Sequence, residues 1–168
     1  SLSATTYPSK TEDMLAVEAE YCRMEDELRE KLTSYAEKFP GYDEYRISGE
    51  VLGHDPYVLA SALSAIYGEY SLDNVNPELY ELFDLQYLLE EKSITETRYR
   101  TETRTGYREV TDPETGESSL EEYSYEVEVA YDYTICVVTL ISKPLESVID
   151  ELLTDEQKQI YEILMKTK

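Results

Sequence analysis

One histidine, His54, two cysteines, Cys22 and Cys136, and a large surplus of carboxylates are the side chains that could do chemistry in this chain of 168 residues. A single histidine rules out a two-histidine metal site and a histidine proton relay. Asp55 beside it would make a dyad. An acid directly before Pro56, however, reads first as the N-cap of a helix. A Cys–His pair is conceivable, but Cys22 falls in mid-helix and Cys136 in an apolar strand, settings that disfavour a thiolate. Neither cysteine sits in a CxxC or other ligand spacing. Two buried thiols are the plain reading; a bridge would require the first helix to cross the second long strand at that level. Acid clusters such as Glu25-Asp26-Glu27 and Glu90-Glu91 read as solvated faces. The run S-L-D-N-V-N-P has Val75 where a calcium loop needs an oxygen ligand. There is no phosphate-binding loop, dinucleotide fingerprint or nucleophile elbow. The sequence therefore assigns no catalytic, cofactor-binding or metal-ligating residue and no cofactor, and binding or assembly is the default class.

Fifteen basic against 37 acidic residues give a net charge of −22. Such a chain repels nucleic acid and anionic lipid, so nucleic acid is excluded as the expected partner. Seventeen tyrosines and regular periodicity argue for a folded chain rather than an acidic disordered one. No apolar run is long enough to span a membrane and no signal-peptide pattern is present. Without an initiator Met, the chain is read as a processed form or a piece of a longer protein.

The elements follow from period and punctuation. Residues 1–10 read as a linker or disordered lead and 11–168 as a single α+β domain. Ser9 with Glu12 fits a capping box, opening a long helix from about Thr11 to Phe39 with Met14, Val17, Tyr21, Met24, Leu28, Leu32 and Tyr35 in one stripe. Pro40-Gly41 ends it. The stretch Tyr42 to Gly53 reads equally as a short edge strand or an irregular link. Asp55-Pro56 starts a second helix, with Leu59, Ala62, Leu63 and Ile66 inward and Gly68 as its C-cap. Asn76-Pro77 repeats the start signal for a third, which gives way to strand between Gln86 and Lys92. Ser142 and Pro144 open a fourth helix, and Thr154 with Gln157 caps a fifth.

A long antiparallel hairpin over about 92–142 stands between these helices. Tyr123, Tyr125, Val127, Val129, Tyr131 and Tyr133 alternate with Glu122, Ser124, Glu126 and Glu128, the period of a half-buried strand. Asp112-Pro113 and Gly116 supply the turn. A loop centred on Thr115 predicts Arg108 opposite Glu122, Arg104 opposite Glu126, Arg98 opposite Asp132, Tyr99 opposite Tyr131 and Thr103 opposite Val127. In that register the charges act as a pairing device, and Arg98, Arg100, Arg104 and Arg108 are not a free basic stripe.

In order, the stretches H-D-P-Y-V-L-A-S-A-L-S-A-I-Y-G-E-Y-S-L-D-N-V, P-E-L-Y-E-L-F-D-L-Q-Y, Y-R-T-E-T-R-T-G and V-T-L-I-S-K-P-L-E-S-V-I-D-E-L-L-T-D-E-Q-K-Q-I-Y-E-I-L-M-K-T-K resemble the region before the catalytic domain in cell-wall hydrolases of Gram-positive conjugative transposons. The resemblance covers about residues 50–168. In those mobile-element proteins a membrane span precedes such a region, and an NlpC-type peptidase or lysozyme-like domain follows it. The resemblance implies an extracytoplasmic, cell-wall-side location and a non-catalytic interaction, spacer or regulatory role. Its partners would be conjugation-apparatus proteins or the parent's own catalytic domain, with a membrane reached only through a segment outside this chain. No position matches the family's catalytic Cys or His. Three other readings stand beside it: a peptidoglycan- or glycan-binding module, a cryptic enzyme built on His54, and a stand-alone cystatin-like or NTF2-like assembly protein of a conjugation channel.

Overall fold

Two features of the sequence shape the chain: amphipathic runs closed by caps, and one very long stretch of alternating residues. The computed structural model describes residues 7–49 and 52–167. In order the elements are α1 (Thr11–Thr33), α2 (Tyr35–Lys38), β1 (Glu44–Gly49), α3 (Pro56–Tyr67), α4 (Leu72–Gln86), β2 (Tyr87–Thr111), β3 (Ser118–Ser142), α5 (Leu145–Leu152) and α6 (Asp155–Thr167). The fold is α+β, with a three-stranded sheet in the order β1-β3-β2. Where the sequence reading has one domain over 11–168, the contacts group into two compact units. The first is Ser1–Gly41, Arg46–Lys92 and Val137–Lys168; the second is Tyr42–Tyr45 and Ser93–Cys136.

The first unit holds the helices. α3 is apolar nearly all round, and every residue from Val58 to Ala65 is buried. A helix of that kind must be covered on all sides; α1, α5 and α6 pack against it. Asp55 caps it as expected, accepting a hydrogen bond from the Tyr57 N–H at 2.9 Å. Met14, Val17 and Tyr21 of α1, Leu79 and Leu82 of α4, and Leu145 and Ile149 of α5 complete the core. α6 turns Tyr161, Leu164 and Met165 towards it and leaves Ile160 and Ile163 exposed. Thr154 and Gln157 exchange both bonds of the expected capping box, at 3.0 and 3.2 Å.

Three local expectations are corrected. Ser9 does not cap α1, whose N-cap is Lys10; the Ser9 hydroxyl instead accepts from the Tyr70 N–H at 2.8 Å. Tyr7 is likewise buried, with its hydroxyl 3.0 Å from that of Ser61. Of the expected lead, residues 1–6 lie outside the described residues, while Tyr7 and Ser9 are packed into the first unit. α4 starts before Asn76-Pro77. Ser71 and Asn74 form the capping box, and Pro77 sits inside the helix on its exposed side. Asp73, whose carbonyl Pro77 cannot serve, is an exposed residue, so water can satisfy that oxygen. β2 begins directly after α4 at Tyr87, within the Gln86 to Lys92 window where the sequence predicts the change to strand.

The ambiguous stretch after Gly41 contains β1. The Asp43 N–H donates to the Thr134 carbonyl at 3.0 Å. Six residues on along each strand, a Cβ on Gly49 would meet the Leu140 Cβ at 2.8 Å. Both numbers rise together, so β1 runs parallel to β3, and the missing side chain of Gly49 leaves room for Leu140.

The hairpin register differs from the expected one by one residue. The Asp112 N–H donates to the Glu117 carbonyl and the Gly116 N–H to the Asp112 carbonyl, both at 2.8 Å. Asp112 Oδ1 also accepts from the Glu114 N–H, and Gly116 takes the left-handed conformation at φ 74°. The closed pair is thus Asp112 with Glu117, around four loop residues rather than an odd number. Thr111 then meets Ser118, Gly106 meets Tyr123, and Lys143 bonds Gln86. Even-numbered β2 residues therefore share a face with odd-numbered β3 residues. The arginines lie among the tyrosines, not against Glu122, Glu126 and Asp132.

Candidate functional site

The second unit is a β-arm made of the Ser93–Cys136 part of the hairpin with Tyr42–Tyr45 beside it, and the corrected register decides the two faces of the hairpin. One carries Arg98, Arg100, Arg104 and Arg108 with Tyr123, Tyr125, Val127, Val129, Tyr131 and Tyr133. The guanidinium carbons of Arg98 and Arg108 lie 3.5 and 5.4 Å from the ring centres of Tyr133 and Tyr123, and Arg100 lies 5.4 Å from that of Tyr131. The arginines find their carboxylates along their own strand: Glu96 at 3.0 Å for Arg98, Glu102 at 3.2 and 3.4 Å for Arg100 and Arg104. Arg108 reaches Glu121 at 3.5 Å. Strand spacing places i and i+2 on the same side, so these pairs and the cation–π contacts form together. The opposite face carries Thr97, Tyr99, Thr101, Thr103, Thr105 and Tyr107 with Glu122, Glu126, Glu128 and Asp132, all exposed. Tyr99 is 65 % and Tyr107 64 % exposed. Among the described residues of this unit only Ile135 and Cys136 are buried.

The first unit holds a second constellation, around His54. Glu18, Cys22 and Glu25 occupy one side of α1, because four and seven residues are about one and two helical turns. His54 lies on the short segment before α3, and its side chain is 2 % exposed. Its Nε2 is 2.7 Å from Glu18 Oε1 and its Nδ1 2.8 Å from Glu25 Oε1. Burial alone would lower the imidazolium pKa. The two carboxylates outweigh it and raise it to about 9. The Cys22 thiol donates to Glu18 Oε2 at 3.1 Å. Burial and then Glu18 push this thiol up to about 12.

Further groups hold the cluster in place. The Tyr87 hydroxyl, at the first residue of β2, donates to Glu25 Oε2 and accepts from the Gly53 N–H at 2.9 Å. The Tyr21 hydroxyl donates to Gln86 Oε1 at 2.6 Å, and Gln86 Nε2 reaches the Gly53 carbonyl at 3.3 Å. The ring of Tyr21 stands edge-on to His54 with centroids 4.6 Å apart.

His54 therefore partners Glu18 and Glu25, while Asp55 serves as the helix cap. Cys22 and Cys136 are both free, half-buried and buried respectively. The ligand atoms of Glu18, Cys22 and His54 lie within 4.8 Å of one another. Because α1 is crowded with acids, sequence reasoning passed over Glu18 and read Glu25, with Asp26 and Glu27, as part of a solvated face; Glu25 is instead buried, 4 % exposed. The signal for Glu18 and Glu25 was positional: each lies four residues after an apolar stripe residue, Met14 and Tyr21, hence at the border of the buried face. Separately, a surface depression of about 430 Å³ is lined by Glu90, Glu91, Lys92, Val137 and Thr139, none of them a cysteine or histidine. Comparison of the chain with protein-family profiles, curated proteins and solved structures finds no match.

Proposed function

We propose that this chain is a non-catalytic interaction module acting on the extracytoplasmic side of a Gram-positive membrane, within a cell-wall hydrolase of a conjugative element, and that the β-arm docks a protein of the transfer apparatus. The cellular setting rests on the sequence resemblance. The docking role rests on one observation: over residues 93–111 of β2 and 118–132 of β3 the Thr/Tyr/acid face is exposed throughout, with Tyr99 and Tyr107 standing clear of any cover. A two-stranded ribbon buries too little to be stable for its own sake, and tyrosine is enriched where proteins meet. The charges along both strands keep the ribbon from pairing indiscriminately with other sheet edges.

The test is a conjugation assay in a donor whose own gene carries Tyr99→Ala with Tyr107→Ala. Transfer frequency is expected to fall at least about tenfold while hydrolase abundance and cell-wall lytic activity hold. Undiminished transfer overturns the docking role. A second reading, glycan binding, draws on the exposed neighbouring rings of Tyr123 and Tyr125, 5.7 Å apart, on the arginine face. Co-sedimentation of the purified chain with peptidoglycan, lost in Tyr123→Ala with Tyr125→Ala, would establish it in place of the first.

A further inference from the structure

The constellation around His54 has the composition of a metal centre, and this lies outside the interaction role. We propose that Glu18, Cys22 and His54 form a binding site for a thiophilic divalent transition metal, Zn²⁺ foremost, with Glu25 as the acceptor that orients the imidazole. Four observations converge on it. The three ligand atoms, one oxygen, one sulfur and one nitrogen, lie within 4.8 Å of one another. Zinc bonds of about 2.0–2.3 Å to such atoms require mutual separations a little over 3 Å. Glu18 already touches both other ligands, at 2.7 Å to His54 Nε2 and 3.1 Å to Cys22 Sγ, so small side-chain rotations suffice. The far ring nitrogen of His54 meets Glu25 at 2.8 Å, and Tyr87 in turn holds Glu25. This is the arrangement that fixes a metal-bound histidine, with Nδ1–H given to a carboxylate and the Nε2 lone pair turned towards the ion.

The exchange leaves the charge of the cluster unchanged. With His54 protonated, the cluster of Glu18, Glu25, His54 and Cys22 carries a net −1. Binding one divalent ion releases the Nε2 proton and the Cys22 thiol proton to solvent. The cluster then again carries −1, now with a thiolate, a neutral imidazole, two carboxylates and the ion. A buried site is thus filled with no net charge added to the interior. The thiolate selects against magnesium and calcium, which take oxygen. Glu18 is 19 % exposed in its side chain, which leaves an entry path and room for water as a fourth ligand. Three protein ligands with one open position is the make-up of zinc sites that bind a further group.

The test uses the full chain, stripped with EDTA and kept reduced with a phosphine, titrated with Co²⁺ and then with Zn²⁺. The expected result is one equivalent of Co²⁺ with a thiolate-to-metal charge-transfer band in the near ultraviolet, displaced stoichiometrically by Zn²⁺. Cys22→Ser, at a half-buried helical position where serine keeps the shape, abolishes that band with its circular dichroism unchanged; Cys136→Ser retains it. Glu25→Gln weakens Zn²⁺ binding about 10- to 100-fold. Absence of saturable one-to-one binding, or a charge-transfer band that survives Cys22→Ser, overturns the proposal.

Discussion

Replacing His54 by alanine tests the buried ionic cluster most directly. In the native protein the imidazole bridges two carboxylates at 2.7 and 2.8 Å, and the three side chains are 2 %, 19 % and 6 % exposed for His54, Glu18 and Glu25. Removing the cation leaves Glu25 buried beside Glu18 with no compensating charge. Breaking a buried pair in this way costs about 3–5 kcal/mol. Loss of the edge-on contact with Tyr21 adds about 1 kcal/mol, and partial rehydration of Glu18 returns a comparable amount. A net loss of about 4 kcal/mol is expected. At a urea slope of about 2.5 kcal/mol per molar this moves the unfolding midpoint down by about 1.5 M, followed by circular dichroism in EDTA at neutral pH. Asp55→Ala, one residue away, removes only a cap and should cost about 1 kcal/mol. The sharper outcome is a reversal of sign. Glu25→Gln destabilises the native protein, where it removes a partner of the imidazolium. It stabilises the His54→Ala variant, where it removes an unpaired buried charge. A midpoint shift under about 0.4 M, or Glu25→Gln acting with the same sign in both backgrounds, would refute the reasoning.

Leu63 is fully buried at the centre of α3, so Leu63→Ala should cost about 2–5 kcal/mol in the same unfolding assay. Tyr161 has its pKa raised from 10.0 to about 12, by burial first and then by Glu146 and Asp55. The folded state thus holds a proton that the unfolded chain has lost. Its contribution is complete below pH 10 and falls away as pH climbs from 10 to 12, and Tyr161→Phe should flatten the unfolding midpoint across that window. A Cβ on Gly106 would lie 2.8 Å from the end of the Tyr123 ring, so Gly106→Ala should swing that ring away from Arg108. Faster amide hydrogen exchange around residues 104–108 and 121–125 would register this, and unchanged exchange would count against the register. In metal-free protein both thiols should react slowly with a disulfide reagent at pH 8, Cys136 because it is buried and Cys22 because its pKa is about 12, and both should react rapidly in urea.

Much of the chain could be read from local chemistry. Asp55 before Pro56, Gly68, Gly116 and the Thr154/Gln157 pair act within a few residues, and each does in the structure what its type and position predict. The α+β class follows from the change of apolar period between the helical stretches and the long strands, which folding does not alter. Where two local signals competed, the choice went to the group whose hydrogen-bond partner was in place. Ser9 was lost as a cap because Tyr70 engages its hydroxyl, and the start of α4 moved to Ser71 because Asn74 could close the box.

The faces of the arm and the cluster around His54 were settled only in three dimensions. Alternation showed that the tyrosines of β3 share one side, but which side of β2 they meet depends on whether the loop holds an odd or an even number of residues. The hydrogen bonds of Asp112, Glu117 and Gly116 made it even, and that one residue placed the arginines over the tyrosine rings instead of opposite the acids. In the same way, their place at the border of the apolar stripe of α1 is all that sets Glu18 and Glu25 apart among 37 acidic residues, and it does not say what they meet. They became a site when α1 packed where the segment before α3 could set His54 between them and the first residue of β2 could set Tyr87 on Glu25. Caps, turns and periods are short-range and are carried by the sequence, whereas register and the pairing of buried charges bring together residues tens of positions apart, and tertiary packing alone decides those.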